Sequence, residues 1–207
     1  MMKRLLTFIL FVALAAQLDA CKKETAKTEE AEKPALAYQA DAEGSSLQWT
    51  AYKTTDKVPV KGTFKDVRIV KSNRSAEAAQ AIDEMSFEIP VSSIFTNDSI
   101  RDGKLQKFFF AVMENSMTLK GKLNVDSADA GTMSISMNGL SKDVPFKFEV
   151  EQDTIHLNAM MDLNDWGAQE ALESLNEACK VLHTGPDGVS KTWNEVALNA
   201  KIHVVEQ

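Results

Sequence analysis

From residue 115 to residue 163, apolar side chains fall at every second position in four successive runs. The first is Met117, Leu119, Gly121, Leu123 and Val125, and the second is Met133, Ile135 and Met137. Val144, Phe146, Phe148 and Val150 make the third, and Ile155, Leu157, Ala159, Met161 and Leu163 the fourth. The residues between them are mostly polar: Thr118, Lys120, Lys122, Ser134, Ser136, Lys147, Glu149, His156, Asn158. A strand sends successive side chains to opposite faces, so this period gives one dry face and one wet face. The gaps at 126–131, 138–142 and 151–154 are short and turn-rich, which makes the four runs an antiparallel meander. A one-sided sheet must cover its dry face. Closing into a barrel does so and removes the exposed edges.

Four further runs show the same period. Leu47, Trp49 and Ala51 alternate with Gln48 and Thr50. Val58, Val60, Gly62 and Phe64 alternate with Pro59, Lys61 and Thr63 and continue through Val67 and Ile69. Gly62 offers no side chain to pack and is read as a bend or bulge. Met85, Phe87, Ile89 and Val91 follow, with Pro90 marking a strand end or an unpaired edge position. Val196, Leu198, Ala200, Ile202 and Val204 close the chain. Eight strands is the count at which a closed barrel is just wide enough for packed side chains or one small ligand. The expected fold is all-β: an eight-stranded antiparallel barrel with one or two helices covering its ends.

The helices come from the two longer connections. In 92–110, Thr96, Asn97, Asp98 and Ser99 offer N-caps. Ile100, Leu105, Phe108 and Phe109 then line one side of a short helix weakened by Gly103. Arg101 and Asp102 read as an ion pair locking this segment over one barrel end. Asn164 or Asp165 caps the longest helix, where Ala168, Ala171, Leu172, Leu175, Ala178, Cys179 and Leu182 recur at three and four. That spacing puts Cys179 on the buried side. Residues 72–81 form a polar, Ala-rich connection.

The N-terminus carries a different signal. Lys3 and Arg4 precede an apolar stretch at 5–16 that is too short to span a bilayer comfortably. It ends in Leu18-Asp19-Ala20-Cys21, which resembles the lipobox of bacterial lipoproteins. The resemblance implies cleavage before Cys21 and lipid on its sulfur and amine. Two or three acyl chains supply the two signals that stable anchoring needs. Lys22 is not the aspartate that favours inner-membrane retention, so the expected location is the bacterial cell envelope, at the outer membrane. The expected organisation is a signal peptide over 1–20, a lipid-anchored tether over 21–42, rich in Lys, Glu, Ala and Thr, and a barrel domain over 43–207. With Cys21 consumed by lipid, Cys179 has no intramolecular partner. The net charge of −7 argues against a nucleic-acid partner.

Little points to catalysis. His156 and His203 sit on wet strand faces and His183 in a loop, none at metal-ligand spacing. There is no nucleophile elbow, no phosphate-cradling glycine loop and no spaced carboxylate pair on a dry face. The expectation is a protein that is not an enzyme and needs no cofactor or metal. The interior instead collects Met85, Met117, Met133, Met137 and Met161 with Phe64, Phe87, Phe146 and Phe148. Such a stripe is either a filled core or the lining of a lipid cavity, since methionine suits adaptable apolar surfaces. Periodicity does not separate the two.

Several motifs, in order, resemble the YceI-like family. They are Val60-Lys61-Gly62-Thr63-Phe64, Ser93-Ile94-Phe95-Thr96 followed by Arg101-Asp102, Leu105 and Phe108-Phe109, the turn Asn138-Gly139-Leu140-Ser141-Lys142-Asp143-Val144, and Asp165-Trp166-Gly167. The likeness covers residues 45 to 205. It departs in a short gap between Leu105 and Phe108, a missing proline around Asn115-Ser116, and a long insert at 168–193. The resemblance implies a lipocalin-like barrel and a hydrophobic tunnel for an isoprenoid tail such as a polyprenyl alcohol or quinone. It adds an apolar lipid as partner, held for storage, transport or stress protection. The alternative is a non-catalytic structural or interaction lipoprotein with a filled barrel. Interior candidates for ligand contact are Trp49, Phe64, Met85, Phe87, Phe108, Phe109, Met117, Met133, Met137, Phe146, Phe148, Met161 and Trp166.

Overall fold

The computed structural model describes residues 37–206. The expected signal peptide, Cys21 and most of the expected tether lie outside the described residues. One antiparallel sheet of eleven segments contains β1 (Tyr38–Lys53), β2 (Val58–Phe64), β3 (Arg68–Lys71), β4 (Arg74–Ser75), β5 (Ser86–Pro90) and β6 (Ile94–Phe95). It continues with β7 (Thr118–Val125), β8 (Ala130–Met137), β9 (Leu140–Glu151), β10 (Thr154–Asp162) and β11 (Glu195–Glu206). The order is β3-β5-β7-β8-β9-β10-β11-β1-β2-β6, with β4 paired to β1. The meander of four runs is thus β7 to β10, in sequence order.

Eleven segments correct the expected eight, and the difference has a simple origin. The run from Val58 to Ile69 breaks after Phe64 into β2 and β3, and two short segments come from stretches read as connections, β4 in 72–81 and β6 in 92–110. The two ends of the sheet, β3 and β6, follow β2 and β5 in the chain, so each end strand is continuous with a strand at the opposite end. Across the break, the Lys65 backbone N–H donates to the Ser93 carbonyl at 2.9 Å, and Ser93 Oγ donates to the Asp66 carbonyl at 3.3 Å. The sheet curls on itself because its ends are continuous in chain. The dry face turns inward, with Leu123, Met133, Ile135, Val144, Ile155, Leu157 and Val204 all buried.

Strand ends are where alternation misleads. β1 starts at Tyr38, inside the stretch expected as tether, because Tyr38 through Asp41 pair with Glu206 through His203 of β11. A bulge between Asp41 and Ser46 interrupts that ladder and hides the period in the sequence. Val58 and Val150, read as dry, are exposed at the outer ends of their strands. Met117 is 48% exposed, whereas its neighbour Ser116 is fully buried. β7 begins only at Thr118, and Asn115 with φ of 51° turns the chain just before it, so Met117 does not share the pleat.

The helical connections are broken more than the spacing predicts. α1 (Ser99–Phe108) is capped by Asp98, whose carboxylate accepts from the N–H groups of Ile100 and Arg101. Ile100 is exposed, so only the later residues of α1 face the barrel. Arg101 pairs with Asp98 at 3.5 Å and not with Asp102. Asp102 instead accepts from the Thr96 backbone N–H at 2.9 Å and from its hydroxyl at 2.6 Å. The expected long helix is interrupted at Gly167, which has φ of 63°, and at Cys179. A 3-10 turn over Leu163–Trp166 precedes α2 (Gln169–Ala178) and α3 (Lys180–His183). Cys179 is buried as expected, but Leu182 is exposed because the axis changes one turn earlier.

Two polar clusters fasten this lid. Asn138 and Gly139, both at positive φ, form the two-residue turn between β8 and β9. Asn138 Nδ2 donates to the carbonyls of Trp166 at 2.8 Å and Gly167 at 3.2 Å, and its Oδ1 accepts from the Glu114 N–H at 2.9 Å. Trp166, fully buried, donates from Nε1 to the Ile135 carbonyl at 3.0 Å. On the other side, Lys104 Nζ donates to the Ala178 carbonyl at 2.7 Å, a cation at a helix C-terminus. Thr192 Oγ1 donates its only proton to Asn176 Oδ1 at 2.9 Å, so it accepts from His183 Nδ1 at 2.7 Å. None of the three histidines stands fully in water as expected. His156 and His203 are half-buried on their strands, and His183 sits at the end of α3.

Burial first, and the charges of Lys53 and Lys104 second, lower the His183 pKa from 6.5 to about 4. The unfolded chain therefore takes up this proton before the folded one does. The stabilisation from neutral His183 is fully present above pH 6.5 and is lost as pH falls toward 4. Urea unfolding at pH 7 and pH 5 should show a smaller drop for His183→Gln than for the wild type. Equal drops would remove His183 from the account.

Candidate functional site

Inside the curled sheet lies a cavity of about 180 Å³. Along β1 it is lined from Ser45 to Ala51, and along β10 by Leu157 and Met161, with Leu163 just beyond the strand. Six residues of strand extend about 20 Å, so the space is long and narrow. Hydrocarbon makes up almost the whole wall, including Ile89, Leu123, Met133, Ile135, Leu157 and Leu198. Leu105, Phe109, Phe110, Leu172 and Leu175 from the two helical connections close one end. At the other, exposed Ser46 and Lys201 bring the cavity to the surface beside the β1 bulge. Engineered apolar cavities of about 150 Å³ stay dry and take up small hydrocarbons. The barrel is therefore hollow, which decides a question that periodicity left open.

The hollow depends on where the rings lie. Trp49 is paired across the ladder with Gly62, Phe87 with Gly121, and Phe146 with Gly131. A Cβ built on Gly62 would come 2.2 Å from Trp49 Cζ2, one on Gly121 2.3 Å from Phe87 Cζ, and one on Gly131 2.3 Å from Phe146 Cζ. Each ring occupies the place of its partner's missing side chain and lies along the wall. Gly62 is thus a seat for the indole and does not mark the expected bend or bulge. Rings projecting straight inward would fill the lumen instead.

The thirteen candidates named from sequence separate into two groups. Trp49, Phe64, Met85, Phe87, Phe109, Met133, Met137 and Met161 border the cavity. Phe108, Met117, Phe146, Phe148 and Trp166 do not. Phe146 and Phe148 pack on each other, with ring centroids 5.9 Å apart, and fill core. Trp166 is sealed beneath β8 by its bond to Ile135. Phe108 lies under the Lys107 ammonium, 5.0 Å from its centroid, and Met117 faces water. Sequence reasoning overlooked Trp193, which borders the cavity with Thr192. It sits in a connection without periodicity, and the signal available was its mere presence just before β11.

Polar chemistry is confined to the rims. Ser45 Oγ donates to the Asp41 carbonyl and accepts from the His203 N–H at 2.9 Å. Among the described residues no group of three or more His, Cys, Asp or Glu is placed to hold a metal ion. What the arrangement can do is take an elongated apolar molecule out of water.

The family model described as YceI-like domain matches residues 38–204. No curated protein matches the chain. Among solved structures, a polyisoprenoid-binding domain from Saccharophagus degradans, implicated in plant cell wall breakdown, is similar with a TM-score of 0.55 at 14% identity. The match covers 83% of this chain and 99% of that one. Burkholderia cenocepacia BcnA is similar with a TM-score of 0.52 at 16% identity, covering 81% and 99%. These likenesses show the shared fold.

The seating of rings on glycines makes a paired prediction. Gly121→Ala places a Cβ 2.7 Å from the Ser134 carbonyl as well as against Phe87. It should destabilise the domain by about 1–3 kcal/mol, the usual cost of overpacking. Gly103→Ala, in α1 with nothing within 4 Å, should stabilise by about 0.5–1 kcal/mol. Chemical denaturation of both variants checks the pair, and effects of the same sign would contradict it.

Proposed function

The chain belongs to the YceI-like family, and on that premise we propose that it holds an isoprenoid-like apolar chain inside its barrel. The observation that carries the reading is the elongated cavity of about 180 Å³ with a hydrocarbon wall. Binding there is driven by desolvation, roughly 25 cal/mol for each Å² of apolar area removed from water. The long, narrow shape suits a polyprenyl or quinone tail better than a compact molecule. The solved relative described as a polyisoprenoid-binding domain supports the same reading. The protein then stores, carries or protects such a lipid and performs no chemistry on it, in keeping with a wall whose polar groups lie at its rims. A solid barrel serving only as an interaction surface is disfavoured by the cavity itself.

The same proposal places the protein at the bacterial outer membrane, held by lipid on Cys21. The support is the basic and apolar leader that ends in Leu18-Asp19-Ala20-Cys21. A tether between Cys21 and β1 gives the barrel reach over a lipid surface from which a ligand is collected.

Two experiments test these parts separately. Native mass spectrometry of protein purified from its own host should show an adduct that moves into organic extract and fragments as an isoprenoid. Protein that is always ligand-free and takes up no prenyl lipid would end the binding proposal. Cys21→Ala should shift the protein from the membrane to the soluble fraction with an unchanged melting temperature. Retention in the membrane would rule out the lipid anchor.

A further inference from the structure

Most cations of the helical lid are already engaged. Arg101 pairs with Asp98 and Lys180 with Glu177. Lys107 and Lys191 lie over the rings of Phe108 and Trp193. Lys53 and Lys104 differ. Both are half-buried, and neither pairs with a carboxylate among the described residues. Lys53, the last residue of β1, is bridged to Thr192, so the two side chains share a face. Thr192 holds the His183 ring on that face through Nδ1. Lys104 approaches from α1 with Nζ on the Ala178 carbonyl, and the next carbonyl, that of Cys179, accepts from the His183 backbone N–H at 3.0 Å.

Three side chains thus converge from β1, α1 and α3. The charges acting on His183 are both cationic, Lys53 ahead of Lys104. Its Nδ1–H donates to Thr192, which leaves the lone pair on Nε2, and Nε2 has no partner among the described residues and is not sealed from solvent. Lys104 uses one of its three N–H donors on Ala178 and keeps two. Two ammonium groups beside an imidazole, with no counter-charge, repel one another, and a bound anion relieves the repulsion. His183, Thr192 and the Ala178 carbonyl all belong to the insert at 168–193, so this is a feature the family pattern does not supply.

Apolar side chains flank the cations. Val181 and Leu182, next to His183, are 89% and 62% exposed, and Ile100, one turn before Lys104 on α1, is 74% exposed. Large aliphatic groups held in water beside unneutralised cations match a lipid surface, where anionic headgroups meet the cations and acyl chains meet the aliphatic groups. A soluble anion would leave the aliphatic groups in water. An apolar protein partner would leave the cations uncompensated.

We propose that Lys53, Lys104 and His183 bind the phosphate of an anionic lipid headgroup, and that Ile100, Val181 and Leu182 enter the bilayer surface around it. Phosphate suits donors arriving from three elements, since its oxygens accept hydrogen bonds on several sides. His183 takes up a proton from solvent as the phosphate arrives, and the imidazolium becomes the third donor. The helical lid is then the part of the domain that rests on the membrane. This needs neither a ligand in the cavity nor the anchor at Cys21.

The test uses the full chain with Cys21→Ala, so that no acyl anchor contributes. Lys53→Gln should weaken binding to phosphatidylglycerol vesicles about fivefold, and Lys53→Gln with Lys104→Gln should weaken it further, with no change on phosphatidylcholine vesicles. Val181→Ser with Leu182→Ser should weaken binding to both kinds of vesicle. In solution, dihexanoyl phosphatidylglycerol below its micelle-forming concentration should raise the His183 pKa from about 4 by about one pH unit or more, and leave the His156 and His203 resonances unchanged. A His183 that responds to glycerol 3-phosphate and not to the lipid would overturn the lipid assignment. Lysine variants that bind phosphatidylglycerol as the parent does would overturn the site. If Lys104→Gln loosens the lid, Lys53→Gln, whose ammonium holds no carbonyl, decides alone. None of these substitutions touches the cavity wall, so failure here leaves the reading of the barrel standing.

Discussion

Each of three strand pairs sets an aromatic ring over a glycine, and the interior depends on that arrangement. In a barrel this small, inward side chains from opposite walls meet unless some are held flat. Trp49 over Gly62 and Phe87 over Gly121 lie along the wall and leave the axis open. Phe146 sits over Gly131 in the same way, but in a part of the interior that is packed solid. The glycines lower strand propensity, and the rings they seat restore the lost packing. One backbone register thus gives both cohesion and empty space.

Closure follows from a second constraint. One end strand of the sheet, β3, continues in the chain from β2, and the other, β6, continues from β5. The wall is completed by covalent continuity through 65–67 and 91–93, with only a few hydrogen bonds across the break. A curled sheet of this kind has one stiff side, the meander from β7 to β10, and one interrupted side. The lid is similarly divided. Asn138 fixes the 3-10 turn at Leu163–Trp166 to the stiff side, whereas Lys104 and the Thr192 cluster hold α2 and the segment that leads into β11.

These features suit a container for a chain-like lipid. Hydrocarbon lines the middle, polar groups stay at the rims, and one end is plugged by helices while the other meets the surface at the β1 bulge. Desolvation gives such a site affinity but little discrimination, since one apolar chain resembles another.

The sequence by itself determined the sheet, its dry face and the position of most of its strands, because alternation is a local property and eight runs in order admit few architectures. It also marked the Asp98 cap, the buried side of Cys179 and eight of the residues around the cavity. Only the tertiary structure decided that the barrel is hollow. Phe146 and Phe87 have the same period and the same kind of glycine partner, yet one fills core and the other borders space, since that depends on what faces them across the lumen. The early start of β1 and the exposure of Met117 were likewise set by partners far away in the chain. Pairing, closure and burial are non-local, and no window of neighbouring residues contains them.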